Sequence, residues 1–396
     1  MTEGVSGLAV GAASAAADMG DKKLMFVGIH NMVICRDLAR KDADGFSVEL
    51  WRRDLGVSEE GHKEETYVVF CGGIVVARFQ KTLTGLDPAT GSVLWTQKLT
   101  DYGAYDLIVM VPGGSAVYIG CLNTVIAVAT QNGAVIWSYQ ITKSGDKPVL
   151  PSIVFCETCL VAVCGMEVAC LDLTNGSPKW KAQLKNGAET RAASCAWDFE
   201  NRVFVGKEGY VYRYDLHTGA ELKRINLSRT GNCDASLVFD KKRKVLYAMT
   251  VGRIFAFSKD EDNKLLWRNH VTAFDTKIMT LDQESGRIYF PEANQLVCVD
   301  TSGKVLFCEQ FCDRRRSAWT VYSIIVDSVG DCRVFVCSED RVIIFTGEGK
   351  VIEHKELKLA ELKSKLMPFL CTTTASLDPN SSTEEYTRLM IGQSSS

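Results

Sequence analysis

The residues of this chain that could do chemistry are few and mostly stand apart. Cys156 and Cys159 form a C-x-x-C followed by Cys164 and Cys170, which are the side chains of a zinc or thiol–disulfide site. A zinc ribbon would need a second C-x-x-C at longer separation. In an extended strand successive side chains point to opposite faces, so the four thiols converge only if a loop brings them round. Structural thiols are the favoured reading, and the weaker pair Cys308 and Cys312 reads the same way. Arg314, Arg315 and Arg316, close to Trp319, are the sharpest basic cluster and would suit an anion or an acidic partner surface, although a solvated loop is the commoner state of such a run. The acidic run Asp260, Glu261, Asp262 and Asn263 and the 42–45 turn lack the spacing of an EF-hand loop. His30, His62, His217, His270 and His354 are scattered, none with an i,i+4 partner. No P-loop, nucleophile elbow or complete dinucleotide fingerprint occurs. Neither a catalytic residue, a metal site nor a cofactor is expected.

The composition bounds the scaffold that would hold these side chains. Of 396 residues, 46% are hydrophobic and 23% charged, which excludes a mostly disordered chain. Lys plus Arg is 45 against 48 for Asp plus Glu, a net charge of −3, so nothing is left over to neutralise a phosphate backbone and no nucleic-acid partner is expected. The fifteen cysteines are spread through apolar runs such as IVFCETCLVAVCGMEVACLDL. They read as buried free thiols in a reducing, cytoplasmic compartment. Residues 1–21 are small and weakly apolar, without the basic and Leu-rich regions of a secretory signal, and are expected to be a flexible tail. No run approaches 18 apolar residues, so neither a transmembrane helix nor a membrane partner is expected.

One unit recurs along the chain: an apolar strand, often an Asp, a short Gly turn, then a strand centred on Trp. The copies read VICRDL…ELWRRDL, LTGLDPATGSVLWTQKL, VIAVATQNGAVIWSYQI, VACLDLTNGSPKWKAQL, VYRYDLHTGAELKRINL, IFAFSKDEDNKLLWRNHV, LVCVDTSGKVLFCEQF and VIIFTGEGKVIEHKEL. The Trp position falls at Trp51, Trp95, Trp137, Trp180, Lys223, Trp267, Phe307 and Glu353, at intervals of 40 to 46 residues. Gly91, Gly133, Gly176, Gly219 and Gly303 stand where a tight hairpin needs positive φ. Upstream of each hairpin lies a second strand pair, with Asp198, Asp240, Asp282 and Asp327 at its turns. Four antiparallel strands, A to D, in about 43 residues predict an all-β, eight-bladed β-propeller. The last segment, with Asp378 at its turn, copies an A-B pair, whereas the first repeat opens at strand B. The expectation is a single propeller over residues 22–393, closed by a C-terminal strand around 372–377, with Leu24–Gly28 and Leu389–Gly392 competing for one strand B position. A short rim helix is expected near 356–367, and residues 394–396 as a tail.

The pattern Ala-x-Asp-x-x-Thr-Gly-x-x-x-Trp, matched most closely by GLDPATGSVLW, resembles the tryptophan-docking repeat of the quinoprotein (pyrroloquinoline quinone, PQQ) alcohol dehydrogenase-like β-propellers. The opening LMFVGIHNMV is similar to that of intracellular eukaryotic proteins of this type. The resemblance implies that each Trp docks on the Gly turn of the next blade, and that Lys223, Phe307 and Glu353 mark less regular blades. It also implies two kinds of activity, quinone-dependent oxidation and scaffolding in outer-membrane protein assembly. The first is implied to need an adjacent cysteine pair over the cofactor, and no Cys-Cys occurs here.

In a four-stranded meander the B-C turns and D-to-A connections share one face, where propellers commonly bind ligands. That placement nominates His30, Asn31, Asn123, Glu167, Lys207, Glu208, Arg253, Glu292, Asn294, Glu339 and Asp340 as channel-mouth residues. It predicts a mildly acidic mouth with Arg191 and the Arg314–Arg316 loop as local exceptions. The leading reading is a non-catalytic, monomeric protein-binding or scaffold module. The alternative is a PQQ-type or other small-ligand enzyme with its site in the axial channel.

Overall fold

Strand B of each repeat is apolar at nearly every position because it has no solvent side. Ile74–Phe79, Ala116–Cys121 and Leu160–Cys164 are buried along their whole length, as expected of strands covered on both faces by neighbouring sheets. Strand D, as in Val93–Lys98 and Leu265–His270, is largely exposed or half-buried. The computed structural model describes residues 14–356 apart from 20–21, 30, 43–46, 57–65, 101–108, 142–148, 150, 186–192, 228–234, 251, 261–262, 272–278, 293–294, 311–320, 328–332 and 339–340. Apart from Glu356 these belong to one compact unit, Met1–Lys355.

The described strands make four-stranded antiparallel sheets, each an A-B-C-D meander in chain order, eight sheets in all. This is the architecture of a β-propeller built from four-stranded blades. Each strand A touches the strand A of the adjacent sheets, so A lies inside and D outside. The buried apolar side chains form clusters that sit between successive sheets rather than within them. Val76, Leu83 and Trp95 of sheet two pack with Val117, Ile119 and Ile126 of sheet three, for example, and Tyr289 and Cys298 of sheet seven pack with Val334 and Phe345 of sheet eight.

Sheet one corrects two expectations. It does not open at strand B: Ser14–Met19 is a strand, paired antiparallel with Lys22–Ile29 in a register that sets Ser14 against Val27 and Met19 against Lys22. The stretch taken for a flexible tail therefore supplies strand A. The signal was present in the Gly20-Asp21 pair between two short strands, a two-residue hairpin sequence, but the small side chains of SAAADM masked it. Lys22–Ile29 is strand B of that sheet. The C-terminal strand around 372–377, the Leu389–Gly392 segment and all but Glu356 of the expected rim helix lie outside the described residues, and Glu356 ends the last strand.

Between sheets the expected docking is present in atomic detail. Trp95 lays its indole on Gly133 of the next sheet's C-D turn and donates its ring N–H to Thr130 O at 2.7 Å. Trp51 does the same with Gly91 and Pro88 O, Trp137 with Gly176 and Leu173 O, Trp180 with Gly219 and Leu216 O, and Trp267 with Gly303 and Thr301 O. Each of these glycines has φ between 68° and 87°. A Cβ at Gly133 would lie 2.4 Å from the Trp95 ring. The turns are held by acids: Asp87 Oδ1 accepts from Thr90 Oγ1 and N at 2.8 Å, and Asp215 Oδ1 likewise from Thr218. The Thr90 hydroxyl and amide lower the carboxyl pKa of Asp87 from its ordinary value.

Across the C-D pair, the residue opposite each docking ring is small: Cys35 faces Trp51, Gly85 faces Trp95, Ala127 faces Trp137, Cys170 faces Trp180, Ala256 faces Trp267 and Cys298 faces Phe307. A register shift follows immediately in each pair, which bends strand D and turns the ring toward the neighbouring sheet. Phe307 keeps the stacking, against Gly349, without an N–H to donate.

Sheet five departs. Lys223 replaces Trp and faces Arg213 rather than a small residue, while the turn it would meet in sheet six carries Asn263 at φ 60° in place of Gly. That seam is held instead by Lys259, whose Nζ lies 2.9 Å from Asp198 Oδ2 and 2.7 Å from Glu200 Oε2. Arg202 adds a bond to Lys259 O at 3.4 Å. Phe199, Phe204 and Phe239 pack beside it.

Two stability measurements test these seams. Gly73 has φ 77° but open space around a Cβ, so Gly73→Ala should cost about 1 kcal/mol for its backbone alone, whereas Gly133→Ala should cost about 3 kcal/mol because the Trp95 ring must also move. Equal urea midpoints for the two variants would refute the docking. Lys259→Met should cost about 3–5 kcal/mol by leaving Asp198 buried without its cation, and adding Asp198→Asn should recover part of that loss. A double variant no better than the single one would show that the pair does not hold the seam.

Candidate functional site

The B-C turns are two-residue hairpins with left-handed backbone: Gln80 (φ 54°), Asn123 (φ 61°), Glu208 (φ 44°), Gly165 (φ 57°) and Gly252 (φ 76°). A recurring bond ties each to its own strand D. The buried apolar residue after strand D donates its backbone N–H to a carbonyl of the turn: Leu99 to Lys81, Ile141 to Asn123, Leu184 to Met166 and Leu227 to Gly209, all at 2.7–2.8 Å. The turns are thus fixed from beneath by elements whose order is set by the core.

Placed on this frame, the residues named from sequence separate. Asn123 is committed to the interior: its Oδ1 accepts from Val149 N at 3.0 Å and from Cys164 Sγ at 3.3 Å. The amide of Asn31 donates to Asp54 Oδ1 at 2.9 Å and Gly56 O at 2.8 Å. Glu167 is paired with Lys181 at 3.0 Å, and the Lys181 ammonium lies 5.2 Å from the Tyr139 ring centre. Its pKa is raised by hydrogen bonding to Tyr139 and to Glu167. Lys207 is wholly buried and offers no mouth charge. Glu208, Arg253 and Glu292 are half-buried. Burial and the nearby Glu292 carboxylate raise the pKa of the Cys308 thiol. His30, Asn294, Glu339 and Asp340, together with Arg191, Arg314, Arg315, Arg316 and Trp319, lie outside the described residues.

Sequence reasoning missed the turn of sheet two, Gln80-Lys81, which has no Gly, Asn or Asp to mark it. Its signal is Arg78, buried at 1% exposure, whose Nε donates to Gln80 O at 2.6 Å and whose guanidinium lies 5.5 Å from the Tyr67 ring centre.

The thiols also depart from expectation. Cys156 and Cys159 lie in the turn between Ser152–Phe155 and Leu160–Cys164, so the alternation of a strand does not apply to them. Cys156, Cys159 and Cys170 converge, with Cys195 beside them in the same apolar cluster between sheets four and five. Cys164 does not join them, being turned to Asn123 and Val149. Among the described residues no group of three or more His, Cys, Asp or Glu side chains is arranged to hold a metal ion.

With the geometry in hand, the comparisons with known proteins are informative. Residues 42–212 match the family model described as PQQ_2, outer membrane protein assembly factor BamB. Among solved structures, the chain is similar to BamB from Moraxella catarrhalis, with a TM-score of 0.52 and 16% identity over 73% of this chain and 87% of that one. It is similar to Saccharomyces cerevisiae Sqt1, with a TM-score of 0.65 and 11% identity over 86% and 96%. It is similar to the quinohemoprotein alcohol dehydrogenase ADHIIG from Pseudomonas putida HK5, with a TM-score of 0.57 and 11% identity over 73% and 66%, and so spans just under two thirds of that enzyme's length. At these identities the likeness is one of fold. No curated protein matches the chain by sequence. The docking repeat and the four-stranded blades make this chain a β-propeller, and residues 42–212 of it match a PQQ-like repeat model.

Proposed function

We propose that this chain is a non-catalytic, intracellular scaffold: an eight-bladed propeller that binds protein partners along its outer rim. One observation carries the reading. Among the described residues, the large hydrophobic side chains that stand exposed are Val93, Leu94, Ile136, Leu222, Leu265, Leu266, Val305, Leu306, Val351 and Ile352, each 40–50% exposed. All lie one or two residues before the Trp position, at the start of strand D. Repetition at one place in sheet after sheet makes an apolar edge, and exposed apolar surface of this kind marks protein interaction sites. In sheet four the same two positions are Pro178 and Lys179, and in sheet one they are Glu49 and a half-buried Leu50, which leaves two gaps in the edge.

Three further observations support the reading. The mouth residues Asn31, Asn123 and Glu167 are already engaged within the chain. The matched family model carries the name of an outer membrane protein assembly factor. Ten cysteines of the described residues are free thiols, which supports a reducing compartment. Closure as one eight-bladed ring is part of the same proposal, supported by the contact of strand A of sheet one with strand A of sheet eight.

Leu266→Glu with Leu306→Glu should weaken capture of the chain's native protein partners about tenfold relative to wild type, whereas Glu208→Lys with Arg253→Glu should leave it unchanged. Quantitative co-purification with both variants, each checked for an unaltered urea midpoint, measures this. Loss only in the mouth variant would move the partner surface to the B-C turns, and partners indifferent to both would reject the scaffold reading.

A further inference from the structure

The thiol cluster of sheet four is not used by the scaffold reading, and its geometry is specific. Phe155 pairs with Leu160, and one step further out Cys156 N–H donates to Cys159 O at 2.9 Å, closing a two-residue turn over Glu157 and Thr158. Glu157 takes φ 54°. Glu157 and Thr158 are exposed, while Cys156, Cys159 and Cys170 beneath them are 1–3% exposed. Cys156, Cys159 and Cys170 share one buried cluster, and the Cys156 thiol lies 3.8 Å from Val154 O. Lys179 reaches over the turn, its ammonium 3.1 Å from Thr158 O. Hydrogen bonds from Cys156 and Cys170, helped by the Lys179 charge, hold the Cys159 thiol well below the usual range. Burial and donation to Cys159 push the Cys156 thiol up. Three thiols thus meet beneath one exposed turn, with the Lys179 ammonium above them and 3.6 Å from the Asp172 carboxylate, and a cation beside a thiol favours its reactive form.

We propose that Cys156 and Cys159 are a hydroperoxide-reactive dithiol that closes to a reversible disulfide across this turn. The ends of a four-residue turn lie within about 7 Å of each other, and directly opposed residues have Cβ atoms about 4.5–5.5 Å apart, close to the span a disulfide bridges. Cys170 is placed differently: it pairs with Val161, two residues along from Cys159. Such a diagonal neighbour is about 7–8 Å away, beyond disulfide reach, so Cys170 supports the thiolate without bridging it. Residues exposed by only 1–3% exclude a protein disulfide as oxidant and leave a small neutral one such as hydrogen peroxide.

The chemistry balances in two steps. The Cys159 thiolate attacks one peroxide oxygen, the O–O bond breaks, hydroxide leaves, and Cys159 becomes a sulfenic acid. The Cys156 sulfur then attacks the Cys159 sulfur, the S–S bond forms, and the S–O bond breaks. The hydroxyl leaves with the Cys156 proton as water. One thiolate and one thiol have lost two electrons and one proton, and peroxide has become one water and one hydroxide, which takes a proton from solvent. A small-molecule thiol reverses the reaction by exchange.

The test uses the full chain treated with hydrogen peroxide, quenched in acid, then alkylated under denaturing conditions and read by peptide mass spectrometry. The expected result is loss of two alkylatable thiols, recovered as a Cys156–Cys159 linked peptide, at doses that leave the buried Cys71 and Cys195 reduced. In Cys156→Ser, Cys159 should instead be trapped by dimedone as sulfenic acid, while Cys170→Ala should still form the link more slowly. The proposal is overturned if Cys156 and Cys159 stay reduced at doses that oxidise the exposed Cys308, or if Cys159 is found linked to Cys170. Because the wild-type measurement decides the pairing, it stands even if a variant fails to fold.

Discussion

The seat of an indole on a glycine is the contact on which the rest of this structure depends. A strand D Trp can lie flat on the next sheet's C-D turn only if that turn has no Cβ, and Gly133 and its counterparts supply both the space and the positive φ. The ring N–H then finds a backbone carbonyl of the same turn, so the polar edge of the indole is satisfied while its faces are buried. An indole buries roughly 150–250 Å², about 4–6 kcal/mol at 25 cal/mol per Å² as an upper bound. Repeated from sheet to sheet, this contact couples blades whose described sheets are separate hydrogen-bonded units. It also accounts for the small residues across the C-D pair: Cys35, Cys170 and Cys298 stand where a larger side chain would push the ring away from its turn.

The seam between sheets five and six shows the same requirement met by different chemistry. With Lys223 in place of Trp and no Gly in the receiving turn, Lys259 reaches a fully buried Asp198 carboxylate and the more exposed Glu200. The Asp198 carboxylate has a second task, since its other oxygen accepts from Glu200 N and Arg202 N and holds the A-B turn in shape. Burying such a pair costs desolvation, which the added turn bonds offset. The electrostatic seam and the aromatic seams therefore fail in different ways: one by loss of a charge partner, the others by loss of space.

The two rims of the molecule differ in kind. The B-C turns are cross-braced by their own strands and by neighbouring segments, and the polar side chains there mostly serve that bracing. The opposite edge, where C-D turns lead into strand D, carries the exposed apolar pairs and, in sheet four, Lys179 above a set of converging thiols. The surface proposed for recognition and the proposed dithiol therefore share the edge away from the B-C turns that the structure uses to hold itself together.

Sequence periodicity determined the strand order and the meander, and the resemblance to a tryptophan-docking repeat implied the partners of the rings. A 40–46-residue repeat with Gly and Trp at fixed places can be met by little else, and each of those signals acts over a few residues. What it did not settle were features decided by contacts between distant segments. Ser14–Met19 is a strand because Lys22–Ile29 needs an edge partner, not because SAAADM has strand propensity. Asn123 reads as an exposed turn residue until Val149 and Cys164, 26 and 41 residues away, arrive to bond it. Lys207 looks like a surface charge at the end of a strand, yet it is buried. The thiols show the difference most directly: the spacing of Cys156 and Cys159 is local, but whether their sulfurs meet each other and Cys170 depended on where a turn began, and a one-residue change in that boundary sends each side chain to the other face.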